Sequence, residues 1–403
     1  MNATAAECPV HKGPNHGGRD DRKSGKLADA NLTPIEGSRM IGDFNAAREI
    51  YRSPNVRQWG AASADIDLSN PGDISFFFLD GEEHRKRRGS VAGMFTPKAI
   101  ATKHREVMDR RMDAIVEKLM KEGEGILDEM SWDMAVDVAA TIIGLTESES
   151  NEALARRVKA VLDSSMERRS DPIGKLIFLV KSIIRVGRFW KNDMVPAIEA
   201  RKKDPKDDVI SFMVKEGYSK KGMLTEALSY GGAGMMTTRE FIVMAAWHMF
   251  EKDDLRERFL NGDEADQFAI LEEILRLEPV ASLNHRKATA EIENSKLGEL
   301  HEGEVFCLNI REMNTDEEIT GPCPYELDPD RAKRMKVVGP YMSFGDGPHR
   351  CPGAQVALHE SRVFLDRLFR LPGIRLEKEP EISWNPHIQG YELRGAVVAV
   401  DPA

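Results

Sequence analysis

Between about residues 40 and 270, apolar side chains recur every three or four positions, as in helices that bury one face. The stretches 46–52, 99–122, 150–169, 176–201, 223–255 and 265–277 all carry this period, so helices are expected there. Pro54, Pro97, Pro172 and Pro205 punctuate them, because proline lacks the amide hydrogen that a helix interior uses. After Pro279 the pattern changes. Segments 288–293, 303–310 and 396–400 read as short strands between turns, and one last helix is expected over 352–370. Residues 1–35 are poor in apolar side chains and rich in glycine and charge, which reads as a mobile N-terminal arm. Neither a repeat nor a break in composition marks a further boundary, so 36–403 is expected to form a single domain. The fold class is α+β: mostly α-helical, with small β-sheets to one side.

Composition narrows the function classes. Of 403 residues, 41% are hydrophobic, enough for a sizeable core. The net charge of −10 excludes a nucleic-acid binder that depends on overall attraction to phosphate. The four cysteines, Cys8, Cys307, Cys323 and Cys351, show no C-x-x-C pair and no disulfide-like spacing. That suits a reducing compartment, with any special cysteine acting as ligand or nucleophile. The polar first 30 residues do not resemble a secretory signal. Lys181 and Arg185 interrupt the apolar stretch 176–190, and 241–250 is short of the roughly 20 residues a membrane span needs. A cytoplasmic protein with no membrane partner is expected.

The densest chemistry lies in Phe344-Gly345-Asp346-Gly347-Pro348-His349-Arg350-Cys351-Pro352-Gly353, directly before a helical pattern. Glycines and a proline ahead of the cysteine favour a tight loop. A helix starting just after the sulfur offers free N–H groups and the positive end of its dipole, which lowers a thiol's pKa. On these grounds alone Cys351 is a small buried residue beside a turn, or a low-pKa thiol. A phosphate loop lacks its Lys-Ser/Thr here, and a nucleophile activated by His349 lacks an orienting group.

The segment resembles the cysteine loop of the cytochrome P-450 superfamily, soluble bacterial type. Phe344, Gly347, His349, Cys351 and Gly353 fit the pattern of Phe, two residues, Gly, one residue, then His-x-Cys-x-Gly. Cys323-Pro324 lacks that frame and reads as a loop cysteine. The resemblance implies a haem b whose iron is held by Cys351. It extends to Glu273-x-x-Arg276 with Arg331, a structural network beneath the cysteine loop. His84 and Arg88, one turn apart, together with Arg286 and His349, match the family's propionate contacts. Ala233 and Gly234 match the small pair beside the oxygen site, followed by Thr237. The acid that usually precedes the threonine is replaced by Met236, and Glu240, four residues on, is the candidate substitute in proton delivery.

The activity implied by the resemblance is that of a monooxygenase inserting one atom of O2 into a lipophilic small molecule. A ferredoxin and ferredoxin reductase are the expected electron donors. Arg85, Lys86, Arg87, Arg350 and Arg362 are candidates for a basic docking patch. Ile74, Phe76, Phe77, Phe78, Tyr230, Ala233 and the segments 280–284 and 387–391 are candidates to line the pocket. The alternatives are a peroxide-using or non-oxygen-activating haem-thiolate enzyme, and a haem-based binding or sensing protein.

Overall fold

The computed structural model describes residues 19–60, 71–164, 172–386 and 388–401. Within them helices form where the three-and-four spacing places them: Phe44–Arg52, Arg105–Glu122, Asn151–Ser164, Pro172–Phe189, Glu264–Leu277 and Ala354–Phe369. The expected central helix is a continuous run of Lys220–Tyr230, a π-helical turn Gly231–Met236, and Thr237–Glu251. Among the described residues, no helix is long and apolar enough to cross a membrane.

The chain groups into two compact units. The first comprises Met1–Ala64, Met244–Cys351 and Glu381–Arg394, and the second Asp65–Val243, Pro352–Pro380 and Gly395–Ala403. No composition break marks them because each is assembled from separated segments.

In the first unit a four-stranded sheet runs in the order Arg39–Ile41, Val305–Asn309, Leu283–Ala288, Val56–Trp59. Its first pair is parallel and the other two antiparallel. Ala46, Ala47, Ile50 and Tyr51 from the Phe44–Arg52 helix join Phe306 and Leu308 of the sheet in one buried cluster. Asp43 caps that helix by accepting from the Ala46 amide at 2.8 Å. The strand expected over 288–293 is divided, since Leu283–Ala288 ends there and Ile292–Asn294 starts a hairpin with Gly298–Leu300.

Two sequence expectations need correction. Residues 1–18 lie outside the described residues, but from Arg19 the supposed arm is docked. Ser24 and Ala28 are buried, and the helix Gly25–Asn31 begins there. The buried Glu278 carboxylate accepts from the Lys23 amide and from the Ser24 amide and hydroxyl. Lys252 pairs with Asp21 at 2.9 Å, and the Lys23 ammonium lies 4.2 Å from the centre of the Trp247 ring. The anchors are backbone amides and charges, which apolar content does not report. Cys323 is disulfide-bonded, whereas Cys307 and Cys351 are free.

In the second unit Leu127–Ile143 is buried almost all round and packs on Arg105–Glu122 and Ala354–Phe369. Gly123 (φ 78°) and Gly144 (φ 99°) end Arg105–Glu122 and Leu127–Ile143 in the left-handed conformation that closes a helix. Asn151–Ser164 packs against Pro172–Phe189.

Candidate functional site

The cysteine loop is held in the first unit by its own backbone. The Cys351 amide donates to the Phe344 carbonyl at 2.9 Å, closing the loop around a short turn at Gly347–His349. Gly347 has φ 67°, and a Cβ there would stand 2.2 Å from the Tyr51 carbonyl oxygen. Only glycine meets both conditions. Asp346 accepts from the Gly347 amide at 2.7 Å and from Arg52 at 2.9 Å, which ties the loop to the Phe44–Arg52 helix. Cys351 itself is exposed. Cys307, the other free cysteine, is buried in a strand, where burial pushes its thiol up to about 12. A thiolate ligand is therefore accessible only at Cys351 of these two.

Beneath the loop, Glu273, Arg276 and Arg331 form the expected network, and all three are buried. Arg276 donates to both Glu273 oxygens at 2.7 and 2.8 Å, and Arg331 donates to one of them at 3.1 Å. The remaining guanidinium donors go to carbonyls: Arg276 to Asn314, Pro324 and Glu326, Arg331 to Thr320, Pro322, Cys323 and Glu326. Fully donating guanidiniums opposite a shared carboxylate meet the cost of burying charge.

Sequence reading missed Asn314, which connects this network to the loop. Its side-chain amide donates to the Arg276 carbonyl at 3.0 Å and to Ser343 Oγ at 2.8 Å. Its side-chain oxygen accepts from the Met342 amide at 2.9 Å. Ser343 Oγ in turn donates to the Leu275 carbonyl at 2.8 Å. No periodicity or motif flags an asparagine whose partners are mostly backbone atoms.

Arg286 is buried in the strand Leu283–Ala288, with its guanidinium 5.0 Å from the centre of the Tyr51 ring. It donates to the His285 carbonyl at 2.8 Å. His349 is half-buried and Phe344 likewise, both on the loop.

The other candidates lie in the second unit. Along the 220–251 run, Ala233 is exposed while Met235 and Met236 are buried, so the helix opens one narrow face at the small residue. Thr237 Oγ donates to the Ala233 carbonyl at 2.6 Å, one turn back, where the helix widens into its π-turn. Gly234 faces inward, with Ala139 Cβ 3.9 Å from where its own Cβ would be. Glu240 is buried in an ion pair with Arg239, accepting at 2.7 and 2.9 Å, and Arg239 lies 4.9 Å from the centre of the Trp132 ring.

His84 and Arg88 sit on the Gly81–Val91 helix, His84 buried and Arg88 half-buried, beside the exposed Arg85 and Lys86. The charge run is therefore two-sided. Arg87 is not part of an exposed basic patch: it is buried, pairs with Glu83 at 2.7 Å and donates to the Ile74 carbonyl at 3.1 Å. Arg362 is half-buried.

Of the expected pocket residues, Ile74, Phe76 and Tyr230 are buried in packing. Phe76 stacks on Phe77 at 4.5 Å, and Phe77 meets Tyr230 edge-on at 5.4 Å. Residue 387 lies outside the described residues. Glu226 was not foreseen. It accepts from the Phe76 amide at 3.2 Å, and burial raises its carboxyl to about 7.

Within the first unit, an accessible thiol on a pinned loop together with the buried Arg286 and the half-buried His349 is a donor set that suits an iron porphyrin bearing carboxylates. Residues 268–378 match the sequence profile of the family described as Cytochrome P450. The chain is similar to cytochrome P450(MEG) of Priestia megaterium, 24% identical over 360 residues, covering 84% of this chain and 82% of that protein. It is 25% identical to the 2-hydroxy-5-methyl-1-naphthoate 7-hydroxylase of Streptomyces carzinostaticus, over 88% of this chain and 87% of that protein. The crystal structure of the versatile cytochrome P450 enzyme CYP109B1 from Bacillus subtilis has the same fold, with a TM-score of 0.74 at 19% identity. The match covers 94% of this chain and 100% of that one.

Proposed function

The chain belongs to the cytochrome P450 superfamily and is an oxidoreductase of the monooxygenase type, and from that premise we propose how its residues serve the reaction. It acts on a small lipophilic molecule and uses O2. Cys351 would hold the iron of a haem b as thiolate, and His84, Arg88, Arg286 and His349 would meet its carboxylates. Bound there, the haem supplies the redox chemistry that places one oxygen atom in the substrate and releases the other as water, using two electrons and two protons. The observation that carries the reading is the accessible Cys351 thiol on a loop pinned by Gly347, Asp346 and the Asn314 network.

The residues of this chain bind, orient and deliver protons. Ala233 would leave room for the reacting oxygen, and Thr237 would offer its Oγ proton one turn away. Glu240 is assigned the charged role that Met236 cannot fill. Electrons would come from a separate ferredoxin with its reductase, with the exposed Arg85, Lys86 and Arg350 attracting an acidic donor. The test is turnover under 18O2 with a surrogate ferredoxin, its reductase and a compound that shifts the haem spin state. One labelled oxygen per product supports the reading. Reduction by that donor with no labelled product contradicts it.

A second reading, direct use of hydrogen peroxide, is favoured by one observation. Met236 is buried and apolar, and Glu240 is engaged by Arg239 instead of standing open to a proton chain. The variant Glu240→Gln separates the two. A relay role requires O2-driven turnover to fall by roughly 10²-fold or more, with peroxide-driven turnover retained. Unchanged O2-driven turnover and coupling would exclude Glu240 from proton delivery.

A further inference from the structure

The Pro172–Phe189 helix turns its most apolar face outward. Leu176, Ile177, Leu179, Val180, Ile183 and Ile184 are between 47% and 63% exposed, and they are six of the ten exposed large hydrophobic side chains among the described residues. Gly174 and Phe189 are buried and Phe178, Ser182 and Val186 half-buried, which marks the opposite side as the one packed on Asn151–Ser164. With successive residues turned by about 100°, the aliphatic stripe centres directly away from that packed side. Exposed cations border it, Lys175 along one margin and Lys181 with Arg188 along the other. No acidic residue occurs from 172 to 192.

A contiguous aliphatic face of this kind is uncommon on a monomer and marks a binding surface. A two-fold pairing with a second copy would set the same cationic margins against each other. An anionic lipid surface accommodates both features at once, taking the aliphatic stripe at the acyl boundary and the flanking lysine and arginine at the headgroups. Because the whole chain is at −10, attraction to such a surface must come from a local patch like this one.

We infer that this helix lies in the plane of an anionic lipid surface and docks the protein there peripherally. The expectation of no membrane partner rested on the absence of spans, and a helix lying on the surface crosses nothing. This goes beyond the oxidative function and does not depend on it.

Co-sedimentation of the holoprotein with vesicles of phosphatidylglycerol or of phosphatidylcholine tests it. Binding to the anionic vesicles should exceed binding to the neutral ones by roughly tenfold or more and fall with salt. The pair Leu179→Ser with Ile183→Ser should abolish it, as should Lys181→Glu with Arg188→Glu, with haem absorption and thermal unfolding unchanged. Absence of binding to either vesicle overturns the inference, as does binding that both variants retain. A concentration-dependent dimer abolished by the serine pair, without vesicle binding, assigns the face to a second copy and overturns it equally.

Discussion

Asn314 joins two features that are separate in the sequence, the Glu273–Arg276–Arg331 network and the cysteine loop. Replacing it by alanine strands the buried Met342 amide and removes the support of Ser343, while leaving Cys351 in place. A buried donor left without its partner costs about 1–3 kcal/mol. Asn314→Ala should therefore lower the thermal midpoint of the holoprotein and accelerate haem loss to an acceptor globin. Unchanged values for both would show that the network does not support the loop. At this scale legibility divides by partner type. Glu273 with Arg276, and Gly347 with Cys351, announce themselves through spacing, because side chains or a forced backbone conformation set their positions. Asn314 and Glu226 bond chiefly to main-chain atoms far along the chain, which no local pattern encodes.

Among the elements, the Ala354–Phe369 helix carries a buried titratable group that the chemistry does not use. Glu360 is fully enclosed, its Oε1 has no hydrogen-bond partner, and burial, with a smaller push from Asp137, raises its carboxyl to about 8. In the unfolded chain the same group titrates near 4.3. Between these two values the folded state keeps a proton that the unfolded state has released. Stability is then fully present below the unfolded value and declines as pH rises towards the folded one. Glu360→Gln should match the parent in thermal unfolding near pH 4–5 and exceed it at pH 8, by a few kcal/mol at most. Parallel stability curves across that range would contradict this. Helices with a sustained three-and-four period were legible almost to their ends, because packing one face is what the period records. The docked segment from Arg19 was not, since amides and ion pairs anchor it. The outward face of Pro172–Phe189 was visible only as an apolar stretch, because periodicity locates a stripe and does not say whether it points in or out.

For the molecule as a whole, the cysteine loop and the network that supports it are the most densely bonded of the candidate elements. Their residues come from widely separated stretches of one unit and are cross-linked by short, buried hydrogen bonds. In the second unit Met236 is buried and Glu240 is held by Arg239. The exposed part of the charge run is smaller than the sequence indicates, because Arg87 turns inward to Glu83 and Ile74. The proposed oxidative function rests on Cys351 holding the iron. The absorption spectrum of the reduced, carbon-monoxide-bound protein measures that ligand directly. The parent protein and Cys307→Ala should both show the red-shifted band of a thiolate-bound haem, and Cys351→Ala should lack it. Retention of that band in Cys351→Ala, or its loss in a folded, haem-loaded Cys307→Ala, would place the ligand elsewhere.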